Sequence, residues 1–463
     1  MNYTDCLFVT LFALLVCISW SLDWLGRPGI WLKEFVLIAI SWIIIYSWGG
    51  FGFIVFVAIV STNYLISLGV GRDCLRRSRA LIALAVTLDI GLLALFKYSG
   101  FLTDTITALT GIPLPPMAFG IPIAISFYTL HIISYLIDLH KGSITRLNIK
   151  NYIFYLSFFP HLIAGPIVRA WQLSPQIGKS PGRRRKIIGG MNYFIIGYSL
   201  KTLAGDNIGM AIDPYWQGGA TLQSAADHWA IALLYYGQIY SDFAGYSLMA
   251  IGMAMLLGYK FPANFRSPMI AFSLQNFWRR WHITLSRWLR DYLYITLGGN
   301  RQGVWQTRRN LLVTMLLGGL WHGANWTFVI WGGMHGLGLV IERCLPKPPP
   351  WCRLWVILSG WILVQAWVMM AWVFFRSPTL ETATGFIHGM VRFGGAGAFD
   401  LAAPVALILP FAILPILHNT APLVIRVVPR RYLGTLHGAL AGSLFVVDIM
   451  MHTATQPFIY FKF

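Results

Sequence analysis

Long apolar runs recur from one end of the chain to the other, separated by short polar clusters. They lie near 5–22, 34–48, 51–70, 80–97, 118–138, 187–205, 229–258, 354–375, 402–419 and 433–451. A helix of about 20 apolar residues crosses a bilayer, so each run is a candidate span. Three basic clusters fall between runs: Arg72, Arg76, Arg77 and Arg79; Lys141, Arg146 and Lys150; and Arg183, Arg184, Arg185 and Lys186. Such clusters mark cytoplasmic loops. Residues 99–118 and 206–228 hold no Lys or Arg and are expected as loops on the far side. Counting back from Arg72 puts Arg27 and Lys33 inside and the N-terminus outside. Residues 5–22 lack a basic leader and an A-x-A-like cleavage site, so they are read as the first retained span.

Two runs break this alternation. Residues 152–170 lie between two basic loops and contain Pro160, Gly165 and Pro166, which predicts a broken, re-entrant element. Residues 311–341 carry glycine pairs at 318–319 and 332–333, and are expected as a broken helix pair or a re-entrant segment interrupted there. Interrupted backbone at membrane depth survives only when it is buried in protein or lines a wet cavity.

Composition sharpens the class. The chain is 57% hydrophobic and 11% charged, where a soluble domain carries about 25% charge; its mean hydropathy is +0.64. With no extended polar block, the expectation is an all-α polytopic membrane protein of roughly ten to twelve transmembrane helices. It would form a single membrane domain over 1–463, with a catalytic core at about 240–341. The net charge of +19 sits in loop clusters, which indicates topology and contact with anionic lipid rather than nucleic acid. Cys6, Cys17, Cys74, Cys344 and Cys352 show no C-x-x-C spacing, so no disulfide framework and no metal site is expected.

Candidate chemistry gathers in two stretches. Residues 266–309 hold eight arginines and one acid, Asp291. On a continuous helix over 276–291, Trp278, Trp281, His282, Leu285, Trp288 and Leu289 share one side, and Arg279, Arg280, Arg287 and Arg290 the other. That pattern suits an interfacial anchor. The forked donors of the four arginines also suit the phosphates of an acyl donor such as coenzyme A. Among eleven histidines, His131, His161, His282, His322 and His335 fall deep in apolar runs. A lone histidine there is more often a packed hydrogen-bonder, but ionisable groups at membrane depth are functional candidates. His322 stands out. Gly318, Gly319, Gly323 and Ala324 leave room around it, Asn325 lies three residues on, and imidazole suits proton transfer near neutral pH. Asp242 in "YSDFAGYS" reads either as partner to a buried cation or hydroxyl, or as a tunnel-lining acid. No G-x-S-x-G, Walker loop, H-E-x-x-H or D-H-H-C occurs, which argues against serine or cysteine nucleophiles and metal-assisted hydrolysis.

"NFWRRWHITLSRWLRDYLYITLGGNR" (276–301) followed by "GLWHGANWTFVIWGGMHG" (319–336) resembles the membrane-bound O-acyltransferase family. The resemblance is to its alginate O-acetylation branch and, more distantly, to teichoic-acid D-alanylation transferases. "PIAISFYTLHIISYLID" (122–138), "FFPHLIAGPIVR" (158–169), "YSDFAGYSLMAIG" (240–252) and "PFIYFKF" (457–463) extend it over nearly the whole chain; His131 stands where many relatives have glutamine. The resemblance implies helices around a central tunnel, a catalytic histidine at His322 and a supporting one at His282. It also implies acyl transfer from a cytoplasmic thioester, acetyl-CoA or an acylated carrier protein, to a hydroxyl on the far side, with no permanently bound cofactor. Acetyl is the expected group, for O-acetylation of an exopolysaccharide such as alginate or cellulose. A periplasmic acetyltransferase and the polysaccharide machinery are the expected partners, and a bacterial inner membrane the location. In that chemistry His322 is the general base, Asn325 or His282 stabilises the oxyanion, Trp278 and Asp242 support the site, and Arg279, Arg280, Arg287 and Arg290 hold the donor. The alternatives are an exporter of polysaccharide or acyl units without chemistry of its own, and a D-alanyl- or lipid-directed acyltransferase of the same family.

Overall fold

The computed structural model describes residues 4–392 except 73, 116–118, 163–164, 180–182, 217–221, 223 and 346–352, together with 442–443. The expected spans at 402–419 and, apart from 442–443, 433–451, the motif at 457–463, and Cys352, His418, His437 and His452 lie outside the described residues. The described elements are helical, with no strand among them, and five helices are long and apolar enough to cross a membrane. The chain is an all-α polytopic membrane protein. It divides into two compact units, one of residues 3–190 with 250–262, the other of 191–249 with 263 onward.

The first unit opens with α1 (Cys6–Asp23), α2 (Gly26–Gly49) and α3 (Gly52–Gly69). Next come α4 (Leu75–Leu93) and α5 (Ser99–Thr110), joined through a π-helical turn at Ala94–Tyr98 into one 36-residue helix. At about 1.5 Å per residue this helix is about 54 Å long, well beyond a hydrocarbon core of about 30 Å. The predicted loop at 99–118 is therefore helical to Thr110. Absence of Lys and Arg does not entail a loss of helix. Two ion pairs lie inside this unit: Lys33 Nζ lies 2.7 Å from Asp23, and Lys150 pairs with Glu34.

Between α6 (Ile125–Lys141) and α9 (Ala170–Leu173) the predicted break at 152–170 is present. α7 (Ile149–Ser157) and α8 (Phe159–Leu162) are short, and Gly165 has φ +143°. Tyr152, Phe154–Leu162, Gly165–Val168 and Ala170 are all buried. The interrupted backbone is thus sheathed by protein, as a low-dielectric setting requires.

α10 (Arg183–Ser199), which belongs to the second unit from Met191 on, continues through a π-helical stretch, Leu200–Asp206, into α11 (Asn207–Trp216). The predicted loop at 206–228 therefore begins later than expected. α12 (Ala225–Leu256) is long and 89% buried over its most apolar window. It packs closely on α10: a Cβ on Gly197 would lie 2.6 Å from the Gly245 carbonyl oxygen.

The predicted continuous helix over 276–291 is not formed. α13 (Leu274–Trp278) ends, the chain turns, and α14 (Ile283–Trp288) starts after His282, which has φ +40°. The cause is a neighbouring backbone. Ile283 N–H donates to the Asn264 carbonyl (2.9 Å) and Arg266 N–H to the Arg280 carbonyl (2.9 Å), so these groups leave the helical ladder. Sidedness survives the break. Trp281, His282, Leu285, Trp288 and Leu289 are buried, while Arg279, Arg287 and Arg290 are exposed.

α15 (Val304–His322) and α16 (Trp326–Cys344) form the predicted pair, but the break lies at Gly323–Asn325 and not at the glycine pairs. The glycines are the helix contact. A Cβ on Gly319 would lie 2.3 Å from the Phe328 carbonyl oxygen, one on Gly332 2.3 Å from that of Met315, and one on Gly336 3.0 Å from Leu312. Rising numbers on one helix meet falling numbers on the other, so the pair is antiparallel. Replacing Gly332 by leucine is expected to part the helices. Overpacking costs about 1–3 kcal/mol and more against backbone, so the detergent-solubilised variant should lose its monodisperse chromatographic peak at lower temperature than wild type. An unchanged transition would show that the helices separate without cost. α17 (Arg353–Arg376) and α18 (Leu380–Val391) complete the described unit.

Candidate active site

His322 closes α15. Gly323 is extended beyond it, and a Cβ there would lie 2.1 Å from the Phe328 ring, so the turn passes under Phe328 only as glycine. Asn325 then caps α16: its Oδ1 accepts from Thr327 N–H (3.0 Å) and its Nδ2 donates to the Pro378 carbonyl (2.9 Å). The amide that the sequence offered to an oxyanion is thus engaged in starting a helix. The His322 ring is 6% exposed and boxed by aromatic rings: Trp321 at 4.9 Å, Trp331 at 5.0 Å and Phe375 at 5.4 Å between centroids.

From that box a row of polar ring atoms continues along α16. His335 lies one turn beyond Trp331, 4.9 Å away, and Trp278 meets both, at 5.0 Å from His335 and 5.9 Å from Trp331. The indole nitrogens of Trp278 and Trp331 and both ring nitrogens of His335 are buried without a hydrogen-bond partner among the described residues. Leaving such a group unsatisfied costs about 1–3 kcal/mol.

His282, 1% exposed, stands across Trp321, whose ring is 6.5 Å from it and 4.9 Å from His322. Its Nδ1 lies 3.1 Å from Asn264 Oδ1, its Nε2 has no partner among the described residues, and its ring sits edge-on to Phe243 at 4.7 Å. The two histidines are therefore linked through an indole, not by a direct hydrogen bond.

The structure places the other sequence-chosen residues as follows. Asp242 is buried on α12 and forms an ion pair with Lys201 (2.7 Å), which also pairs with Asp206. That is the cation-partner reading of this acid, while its neighbour Phe243 faces His282. Arg280 is half-buried and donates to Asn276 Oδ1 (2.9 Å) and the Arg266 carbonyl (3.0 Å). Arg279 and Arg287 are exposed, and Arg290 pairs with Asp291 at 2.6 Å on the surface.

Sequence reasoning passed over Lys201, Asn264, Trp331 and the place of His335 beside the box. Lys201 carried a signal, since a lysine within an apolar run needs a carboxylate nearby. The five-residue step to Asp206 is brought together by the π-helical stretch. Asn264, 18 residues before His282 across an irregular segment, carried none.

The site is thus a buried histidine at a helix break in an all-α membrane protein, ringed by Trp321, Trp331 and Phe375. A family model described as MBOAT, membrane-bound O-acyltransferase family, matches residues 206–374. "Probable alginate O-acetylase AlgI" of Azotobacter vinelandii is 39% identical over 383 residues, covering 80% of this chain and 74% of that protein. "Peptidoglycan O-acetyltransferase" of Helicobacter pylori is 34% identical over 380 residues, 73% of this chain and 70% of its own. "Teichoic acid D-alanyltransferase" of Streptococcus thermophilus is 28% identical over 233 residues, 48% and 56%. The chain belongs to the membrane-bound O-acyltransferase family, in the branch of the alginate O-acetylases, and is an O-acyltransferase.

Proposed function

We propose that this protein moves an acetyl group from a cytoplasmic thioester, acetyl-CoA or an acylated carrier protein, across a bacterial inner membrane for O-acetylation of an exopolysaccharide such as alginate or cellulose. The observation that carries this reading is the row of buried ring nitrogens of Trp331, Trp278 and His335, beside the His322 box, that have no hydrogen-bond partner among the described residues. Such atoms suit a path filled by polar substrate. The names of relatives that acetylate alginate and peptidoglycan support a polysaccharide acceptor.

A thioester needs no metal for attack. It needs an oriented hydroxyl and a base. His322 takes the hydroxyl proton as the new C–O bond forms at the thioester carbonyl. The oxyanion then collapses, expelling the thiolate, which recovers a proton. Asn325 supplies its second N–H or its backbone at that stage, and the Trp331 indole N–H is a further donor beside His322. The exposed Arg279 and Arg287, with Arg290, meet the phosphates of the donor or an acidic carrier surface, and Trp278 lines the row. Asp242 supports the site from a distance by fixing α10 to α12 through Lys201. Residues 1–463 act as one membrane domain with the chemistry at about 240–341. A periplasmic acetyltransferase and the polysaccharide assembly machinery take the product.

The test is genetic and chemical. Deleting the gene is expected to remove ester-linked acetate from one secreted polysaccharide without reducing its amount, measured by base-released acetate per sugar. Unchanged acetate on every secreted polymer would overturn the acceptor. Loss of the polymer itself would favour export.

A further inference from the structure

We propose that Asn264 is a positioning residue that holds His282 with its proton on Nδ1 and a lone pair on Nε2, so that His282 offers substrate an acceptor and not a donor. The inference rests on the functional reading above for its consequence, but not for its geometry.

Donors that can only donate fix the orientation of the Asn264 amide. Asn264 Oδ1 sits 3.3 Å from the backbone N–H of Thr284, which can only donate. The oxygen of the amide is therefore on that side, and it also accepts from Thr284 Oγ1 at 2.8 Å. The amide nitrogen is on the other side, donating to Ser247 Oγ at 3.0 Å. With the amide so oriented, the ring nitrogen 3.1 Å from Oδ1 must bring a hydrogen, which places the proton of neutral His282 on Nδ1.

The assembly is buried and held at several points. Asn264 and His282 are each 1% exposed. The Asn264 carbonyl accepts from Ile283 N–H at 2.9 Å, and that bond helps keep His282 in its left-handed conformation at the head of α14. One residue thus fixes both backbone and tautomer. What remains is Nε2, a buried acceptor without a partner among the described residues. A neutral ring in this state cannot donate to the oxyanion of a tetrahedral intermediate. It receives an O–H or N–H, which suits the acceptor's hydroxyl or an amide of the donor's thiol arm. His282, across Trp321 from His322, thus has its tautomer set by a side-chain amide.

The full-length protein, labelled with 15N-histidine and reconstituted in lipid, tests this by its ring-nitrogen shifts, with His282→Gln to assign the signal. Wild type is expected to show a protonated Nδ1 and an unprotonated Nε2 at His282. Asn264→Leu should mix or reverse the tautomers and lower kcat roughly 10–100-fold, the range found when the orienting partner of a ligating histidine is removed. Asn264→Asp, which keeps the acceptor, should restore both the wild-type tautomer and most of the turnover. A proton on Nε2 in wild type overturns the proposal, as does an Asn264→Asp variant no better than Asn264→Leu. Should the leucine variant fail to fold, the wild-type spectrum and the aspartate variant still decide. Wild type with the stated tautomer but no thioester turnover would overturn the proposed function and leave this assignment standing.

Discussion

His322→Ala is expected to lower acyl transfer by roughly 10²–10⁴-fold, the usual contribution of a positioned general base, while the protein still folds. The ring is the last residue of α15 and touches Trp321, Trp331 and Phe375 by its edges. Removing it costs packing on the scale of a large-to-small core change, about 2–4 kcal/mol, which the remaining aromatic box limits by closing in. The helix break does not depend on it, because Gly323 and the Asn325 cap set the turn. Release of free thiol from acetyl-CoA by purified protein in lipid is the measurement, beside a chromatographic and thermal check of folding. His322→Gln should be as inactive as alanine, since an amide hydrogen-bonds but does not take a proton at neutral pH. If either variant keeps wild-type thiol release, the general base is elsewhere and the box around His322 is structural.

The second large effect concerns folding. Lys201→Met is expected to destabilise the second unit by roughly 3–5 kcal/mol, the range for removing one partner of a buried ion pair. Lys201 is 1% exposed between Asp242 and Asp206, whose side chains are 4% and 2% exposed. Without the ammonium, two carboxylates face each other in a medium that screens poorly. The expected result is a much lower yield of folded protein and a lower apparent melting temperature. Adding Asp206→Asn and Asp242→Asn to Lys201→Met should recover most of the loss, because the group then leaves no uncompensated charge. A single Lys201→Met variant as stable as wild type would mean that water reaches this cluster. Activity restored together with stability in the triple variant would assign Asp242 a role in holding helices and none in chemistry.

Much of the fold was legible because burial in lipid forces simple patterns. Among the described residues the apolar runs near 20 residues became helices, and the broken character of 152–170 and 311–341 was visible in proline, glycine and the count of basic loops. Glycine, however, has two uses that look the same in a sequence. At 323 it permits a turn, whereas at 319 and 332 it permits two helices to touch. The continuous helix read over 276–291 failed for a related reason. Its periodicity was correct, but the hydrogen bonds that end it come from Asn264 and Arg266, and no local pattern announces a distant carbonyl. Asn325 shows the same limit for the site: its nearness to His322 was plain, its engagement as a cap for α16 was not.

Taken alone, the sequence settled what depends on composition and short-range order: a helical membrane protein, a tryptophan-flanked histidine at depth, and a helix segment with apolar and arginine faces. Those features follow from the cost of placing polar backbone and charge in hydrocarbon, which acts residue by residue. Tertiary structure alone determined which groups meet. It joined Lys201 to Asp242, set His335 and Trp278 beside Trp331, and turned the Asn264 amide toward His282. Such pairings are fixed by the directional needs of buried donors and acceptors, and those needs are met across the fold by residues far apart in the chain.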